Sequence, residues 1–156
     1  MKIVDNDFLE KLSSQAKASN RLRKNYNFHE SMDDPIQRLL NAFEPNSYVQ
    51  PHRHLNPDKR EVFVVLCGRL LIVTFNDSGL IKEHVILDRS KGIYMVEIGV
   101  GEWHMVVGLE EGTVVYEIKD GPYSVMDDKD FASWAPSEKD SDALKYLNQI
   151  LGQLNL

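Results

Sequence analysis

The sequence has little of what stabilises secreted proteins or anchors membrane proteins. It contains one cysteine, Cys67, so no disulfide can form within the chain and nothing indicates an oxidising compartment. The longest apolar runs, such as the one from Val62 to Cys67, are far too short to cross a bilayer. The N-terminal stretch is charged and amphipathic and lacks the apolar core of a signal peptide. We therefore expect a cytoplasmic location.

Positive charge is also scarce. The chain has 18 Lys and Arg residues against 24 Asp and Glu residues, which gives a formal net charge of −6. Because the phosphates of nucleic acids call for a basic protein face, we expect no nucleic-acid partner. The chain is nevertheless 156 residues long and 42% hydrophobic, which is enough to bury the core of one domain.

The middle of the chain, residues 46–122, has the pattern of β structure. Short stretches rich in β-branched and apolar residues, such as Glu61 to Leu66 and Arg69 to Phe75, are separated by glycines. The turn cluster Asn76 to Gly79 joins two of these stretches as in a β-hairpin. Many short strands with regular turns predict a mainly β sandwich or barrel rather than alternating strands and helices.

The two flanks of this β region show helical spacing. Residues 1–45 predict an N-terminal helical segment that packs on the barrel, with Asp5 or Asn6 as the helix cap. A second short helical turn is predicted after Pro35. Residues 123–156 predict an irregular segment followed by a terminal helix that covers one end or face of the barrel.

The histidines carry the strongest chemical signal. His52 and His54 are two residues apart, so on a strand both imidazoles point to the same face. Neutral imidazole is the commonest protein ligand for metals, and this pair therefore predicts a metal site. Glu61 could be returned to the pair by the intervening turn, and His104 could come from a facing strand. Taken singly, Glu61 is more typical of a solvated charge and His104 of a structural side chain.

The combined pattern resembles the two cupin motifs. The pair His52 and His54, followed by Glu61 and then Gly68, resembles the first motif, and the stretch from Gly99 to His104 resembles the second. Asp58 lies at the commoner distance from the second histidine, but the spacing to Gly68 favours Glu61. The residues that this resemblance implies as ligands of one divalent metal ion are His52, His54, Glu61 and His104.

Cupins are double-stranded β-helix, or jelly-roll, barrels, so the resemblance implies that fold. A closer resemblance, to the WbuC-type cupin-fold metalloproteins, covers nearly the whole chain through Arg21 to His29, Asp34 to Leu39, His52 to His54 and Asp128 to Pro136. It implies a role in bacterial O-antigen or surface-polysaccharide biosynthesis and a small, sugar-like ligand. Cupins often pair through barrel edges, so the resemblance also allows a homodimer.

Three functions are compatible with such a site. The first is an enzyme acting on a sugar or nucleotide-sugar, with Fe, Zn, Ni or Mn as Lewis acid and with Glu61, Tyr26 or His29 moving protons. The second is an Fe(II)-dependent dioxygenase. The third is a non-catalytic, metal-dependent sugar-binding or regulatory module. For Tyr26 and His29 the alternative is a loop that holds the N-terminal helix on the barrel.

Two further features stay open on the sequence alone. The basic residues between Arg21 and Lys24, with Arg38, could bind a phosphate or sugar acid, or could form a solvated face. Tyr116 and Glu117 alternate on one strand, so only one of them can face the barrel interior.

Overall fold

The computed structural model describes residues 1–123 and 129–156, and Asp128 of the closer resemblance lies outside them. The described part contains two α-helices, α1 (Asn6–Lys17) and α2 (Ala143–Gln153). In chain order the strands are β1 (Arg23–Asn27), β2 (Ile36–Phe43), β3 (His52–Arg53), β4 (Glu61–Cys67), β5 (Arg69–Phe75), β6 (Ile81–Asp88), β7 (Met95–Ile98), β8 (Trp103–Gly108), β9 (Thr113–Asp120) and β10 (Asp130–Phe131).

The strands form two five-stranded antiparallel sheets. The first sheet has the order β1-β2-β9-β4-β7, and the second has the order β10-β3-β8-β5-β6. Among the described strands, only β1–β2 and β5–β6 are consecutive pairs within one sheet, and every other connection passes to the other sheet. This exchange of strands between two layers is the jelly-roll arrangement that the sequence predicts.

Helix α1 covers the outer face of the first sheet. The carboxylate of Asp5 caps the helix by accepting a hydrogen bond from the backbone N–H three residues on, as the sequence predicts. The buried side chains of Leu12 and Ala16 pack against Leu40 and Val114 of the sheet. The helix therefore closes the outer side of the strands whose inner side faces the barrel interior.

Helix α2 covers the outer face of the second sheet, which confirms the predicted terminal helix. Its buried side chains Leu147 and Ile150 pack with Leu71 and Met105 of the sheet. Among the described residues, neither helix has the length and apolar character needed to cross a bilayer.

The second helical turn predicted after Pro35 is wrong, because Ile36–Phe43 forms strand β2. The apolar side chains of Ile36, Leu39 and Leu40 fit helical spacing, but the segment pairs along its whole length with β9 and also with β1. A strand held by ladders on both sides overrides such a local pattern. The first 45 residues therefore contribute two strands to the first sheet as well as a helix.

Apolar side chains fill one end of the space between the sheets. The members of this cluster are Phe43, Val49, Phe63, Val65, Leu70, Ile72, Leu87, Ile98, Val106 and Val115. The other end of the same space is lined by polar side chains, and it contains the histidines singled out by the sequence.

Candidate metal centre

Ligand side chains from both sheets meet at the polar end of the barrel. His52 on β3 lies directly opposite His104 on β8 in the second sheet, and His54 follows β3 immediately. Glu61 opens β4 in the first sheet and reaches across to the histidines. All four side chains are buried. The fold thus brings together residues as distant in sequence as His52 and His104.

The distances in this group suit a single metal ion. The Oε2 atom of Glu61 lies 3.0 Å from Nε2 of His104, and its Oε1 atom lies 3.1 Å from Nε2 of His54. One ligand atom from each residue, including His52, lies within 4.8 Å of the others. Two ligands on opposite sides of an ion with bonds of about 2.0–2.1 Å are about 4 Å apart. The group could therefore hold one divalent ion after small shifts.

Backbone carbonyls fix the orientation of two of the imidazoles. The Nδ1 atom of His52 lies 2.9 Å from the carbonyl oxygen of Gln50, and Nδ1 of His104 lies 2.9 Å from that of Glu102. Because a carbonyl oxygen only accepts hydrogen bonds, each Nδ1 carries the proton and donates it. The Nε2 atoms then turn towards the ligand group. Burial, as the main cause, lowers the pKa of His52, which favours the neutral form that binds metals.

Glu61 is held in its ionised form. Burial alone would raise its pKa, but the adjacent imidazoles of His104 and His54 and the nearby charge of Lys119 hold the pKa well below its ordinary value. The Nζ atom of Lys119 lies 3.6 Å from Oε1 of Glu61. An ionised carboxylate is the state that a metal ligand requires.

A glycine turn ties the two ligand-bearing loops together. The backbone N–H of Gly101 donates a hydrogen bond to the carbonyl oxygen of His54 over 3.2 Å. Gly101 has a φ of +69°, and a Cβ atom at this position would lie 3.2 Å from Cδ2 of Leu55. Glycine adopts this left-handed conformation without steric cost. It therefore allows the loop before β8 to lie against the loop that carries His54.

A cavity of about 810 Å³ opens from the ligand group. His52, Glu61 and His104 line its inner wall, while Phe63 and Val106 form an apolar part of the lining. The first sheet also contributes polar side chains, namely Asn25, Asn41, Glu117 and Lys119. The site therefore combines a buried ligand group with room for a small molecule.

Glu117 is a second carboxyl group in this cavity. It lies opposite Phe63 on β4, while Glu61 lies opposite Lys119, so the two glutamates are diagonal neighbours about 7–8 Å apart on the inner face. The side-chain amide of Asn41 donates a hydrogen bond to Oε2 of Glu117. Burial, and then the charge of Glu61, raises the pKa of Glu117 to about 7. Glu117 can therefore give or take a proton near neutral pH.

Sequence reasoning left the inward residue of this strand undecided. In the structure Tyr116 faces outward, with its ring centroid 5.8 Å from that of Phe28 beneath helix α1, and Glu117 faces inward. The strand alternation contained the signal, but only the sheet register decides which of two alternating residues is buried in the barrel.

Tyr26 does not reach the ligand group. Its ring packs edge-on against Phe8 of α1 and against Phe28, with centroid distances of 4.9 and 5.2 Å. Asn25, its neighbour on β1, lines the cavity instead. The expectation that Tyr26 moves protons at the metal therefore has to be corrected, because strand alternation directs its side chain to the helix-covered face.

His29 lies beside the site rather than in it. Its Nδ1 atom accepts a hydrogen bond from the backbone N–H of Arg38 over 3.1 Å. The ring lines a smaller pocket of about 210 Å³, which shares Glu117 and Lys119 with the main cavity. His29 therefore adjoins the cavity without lining its main volume.

Arg53, between the two histidines of β3, points away from the ligand group. Its guanidinium carbon lies 4.2 Å from the ring centroid of Trp103, and its Nε donates to Oδ2 of Asp130 over 2.8 Å. This confirms the alternation on which the metal prediction rests.

Solved structures with the same fold are cupins. A cupin superfamily protein from Desulfitobacterium hafniense is 15% identical, and the match covers 70% of this chain and 86% of that chain with a TM-score of 0.51. A cupin 2 domain-containing protein from Halorhodospira halophila is 18% identical over 85% of this chain and 81% of that chain, with a TM-score of 0.50. The predicted cupin β-barrel is thereby confirmed.

A third solved structure is the capsular polysaccharide assembling protein CapF from Staphylococcus aureus, at 21% identity and a TM-score of 0.52. The match covers 69% of this chain but only 28% of that protein. The chain belongs to the family described as Domain of unknown function (DUF6016), whose model matches residues 4–87. That match includes His52, His54 and Glu61. No curated protein matches the chain.

Proposed function

We propose that this protein is a metal-dependent cupin enzyme that acts on a sugar or nucleotide-sugar in bacterial O-antigen or surface-polysaccharide biosynthesis. One divalent ion would be held by His52, His54, Glu61 and His104. The observation that carries the proposal is that three members of this buried ligand group, His52, Glu61 and His104, line a cavity of about 810 Å³. Cavities of this size are typical of small-molecule sites.

The ligand set leaves the choice of ion open. Three imidazoles and one carboxylate accept Fe(II), Mn(II), Ni(II) or Zn(II). When bound, such an ion supplies Lewis-acid polarisation of a hydroxyl or carbonyl oxygen. The chain's own contribution is to hold a small molecule against this group and to exclude bulk water from the buried end of the barrel.

In this proposal Glu117 would transfer a proton to or from the bound molecule. It shares the inner face with the ligand Glu61 and is held by Asn41, so a molecule that spans the cavity would contact both carboxyl groups. Its pKa of about 7 suits a group that alternates between acid and base. Glu117 therefore replaces Tyr26 as the proposed proton-transfer residue. It also lines the smaller adjoining pocket together with His29.

The same residues favour catalysis over binding alone. A non-catalytic module would be expected to enclose its metal fully, whereas this ligand group faces an open cavity with a titratable carboxyl group beside it. A buried carboxyl with a raised pKa in a cavity is a common property of catalytic sites.

Two features support a sugar as the ligand. The amides of Asn25 and Asn41, with Glu117 and Lys119, offer hydrogen-bond donors and acceptors suited to sugar hydroxyls. The resemblance to WbuC-type proteins and the fold shared with CapF, a capsular polysaccharide assembling protein, point to the same area of metabolism. These likenesses support the substrate class by analogy.

The test is a turnover screen of the metal-loaded protein with nucleoside-diphosphate sugars, read by mass spectrometry. We expect conversion of at least one sugar by the wild type, none by His104→Ala, and unchanged conversion by the surface variant His84→Ala. Glu117→Gln should lower turnover by about 100-fold or more. Binding without turnover would favour a sugar-binding module, and oxygen uptake by the iron-loaded protein would favour a dioxygenase.

A further inference from the structure

The cavity lining has the opposite charge balance to the rest of the molecule. The chain as a whole carries a net charge of −6. Three acidic side chains, Glu61, Glu117 and Glu138, line the cavity. The lining also contains twice as many cationic side chains, which are Arg21, Arg23, Lys24, Lys119, Lys129 and Lys139. A concave site with an excess of one sign concentrates the field at its opening.

The two innermost cations serve the buried end of the site. Lys119 is buried and lies 3.6 Å from Glu61. Lys129 is close enough for its charge to act on both His52 and Glu117. These lysines therefore balance the two buried carboxyl groups and leave the charge of the outer lining uncompensated.

The outer lining is a built arrangement rather than a set of scattered side chains. Arg23 is only 14% exposed, and its guanidinium donates to the carbonyl oxygen of Tyr48 over 2.8 Å and also to Glu138. Arg21 donates to the same carboxylate over 3.0 Å. Two guanidinium groups thus share one carboxylate and retain a net positive charge.

One exposed lysine, Lys139, follows Glu138 in the C-terminal segment and also lines this opening. Lys24 lines the cavity from β1, but its register partner Ala42 packs under helix α1, so strand alternation directs the Lys24 side chain to the outer face. The sequence allowed the basic residues between Arg21 and Lys24, with Arg38, to be a solvated face. In the structure Arg21 and Arg23 line the mouth of the cavity, whereas Arg38 pairs with Asp34 outside it.

We infer that the ligand of this cavity is anionic and places a carboxylate or phosphate group at the mouth, against Lys139 and the Arg21–Arg23 pair. Its uncharged, hydroxyl-bearing end then extends inward. The part of this inference that places a sugar hydroxyl near the metal ligands rests on the proposed function, while the anionic group at the mouth does not. Arginine and lysine are the side chains that recognise both kinds of oxyanion.

The test compares three probes on the full-length, metal-loaded protein by titration calorimetry. Glucose is the neutral probe, glucuronate carries a carboxylate, and glucose 1-phosphate carries a phosphate. We expect at least one anionic probe to bind about tenfold more tightly than glucose, with a Kd that rises with salt. The tighter of the two anions identifies whether a carboxylate or a phosphate is the natural group.

A matched pair of double variants locates the anion site. Arg21→Ala/Lys139→Ala should raise the Kd of the preferred anion about fivefold to tenfold. Lys11→Ala/Lys145→Ala removes the same charge from exposed positions on the two helices and should leave that Kd unchanged. Circular dichroism of each variant checks that the barrel is folded.

Three results would overturn the inference. The first is that glucose binds as tightly as both anions. The second is that neither anion binds at about 10 mM. The third is that the double variant at the cavity mouth binds the preferred anion with wild-type affinity. Metal content measured on the same samples separates this inference from the proposed function. If the protein takes up no metal under loading conditions but still prefers an anion, the metal-dependent function is contradicted and the anion site at the mouth is retained.

Discussion

The two ends of the barrel interior differ in kind although the same strands build both. On β4 the inward side chains change from Glu61 to Phe63, and on β8 they change from His104 to Val106. One end is packed with apolar side chains, and the other holds ionisable groups around a cavity. The comparison teaches that stability and chemistry are separated along each strand rather than assigned to different elements.

This separation has an energetic reason. Burying a charge is costly unless it is paired or binds a metal. Glu61 meets that requirement through His54, His104 and Lys119, all at the polar end. The apolar end supplies the favourable burial that holds the two sheets together. Four predictions test whether the two ends are independent.

The largest expected effect is loss of metal in His104→Ala. Loss of a direct ligand should weaken metal binding by more than the roughly 10- to 100-fold that loss of an outer-shell partner costs. The barrel should still give its β-type circular dichroism spectrum. Metal titration checks the affinity, with His84→Ala on the exposed part of β6 as the control. Failure of both His104→Ala and His54→Ala to fold would contradict the separation.

The reverse experiment is Ile72→Ala, opposite Val106 in the apolar end. Truncation of this fully buried side chain should lower the free energy of unfolding by about 2–5 kcal/mol, as measured by urea denaturation. The metal-to-protein ratio of the folded variant should equal that of the wild type. A loss of metal comparable to that in His104→Ala would show that the two ends are coupled.

Glu117→Gln should change how stability depends on pH in metal-free protein. Because burial and then Glu61 raise the pKa of Glu117 to about 7, its contribution to stability is complete below about 4.5 and is lost as pH rises through 7. Glutamine has no such loss, so between pH 5 and 8 the variant should gain about 2–3 kcal/mol on the wild type. Urea denaturation in chelator measures this.

The control for that prediction is Glu83→Gln, an exposed glutamate on β6, which should show no such trend. Added zinc should reduce the pH dependence of the stability difference between Glu117→Gln and wild type, since the ion's charge opposes that of Glu61. A difference between Glu117→Gln and wild type that stays constant with pH would contradict the assigned pKa.

The smallest effect is expected for Arg53→Ala. Its contacts with Trp103 and Asp130 lie on the outer face, so its loss should cost about 1 kcal/mol or less. Metal affinity should not change, in contrast to that of His52→Ala one residue away. A thermal melt and a metal titration of the two variants make the comparison. Metal loss in Arg53→Ala would contradict the conclusion that Arg53 points away from the ligand group.

The fold and the ligand group could be predicted because their signals are local or carried by motif. The pair His52 and His54, with Glu61 and His104, follows the order of the cupin motifs, and the structure gathers the four side chains. The distance from Glu61 to Gly68 was the signal that favoured Glu61 over Asp58. Strand β2 was missed because its partner β9 is distant in sequence, while its own apolar spacing also fits a helix. Long-range pairing is what a local pattern cannot report.

The inner wall of the cavity depends on register for the same reason. Asn25 and Tyr26 alternate on β1, as Tyr116 and Glu117 do on β9, and a shift of one residue would exchange the inward and outward members. The choice is made by helix α1, which buries the aromatic members on its own side. The sequence offers Glu61, Tyr26 or His29 as proton-transfer residues, whereas the structure places Glu117 in the cavity and Tyr26 under the helix.

The most direct test of the central claim is elemental analysis of the protein purified without chelator, beside the His52→Ala/His54→Ala variant. The account predicts about one equivalent of metal in the wild type and none in the variant. Iron would favour oxygen chemistry, while zinc, nickel or manganese would favour Lewis-acid chemistry. Absence of metal from both proteins, even after reconstitution with each of these ions, would contradict it.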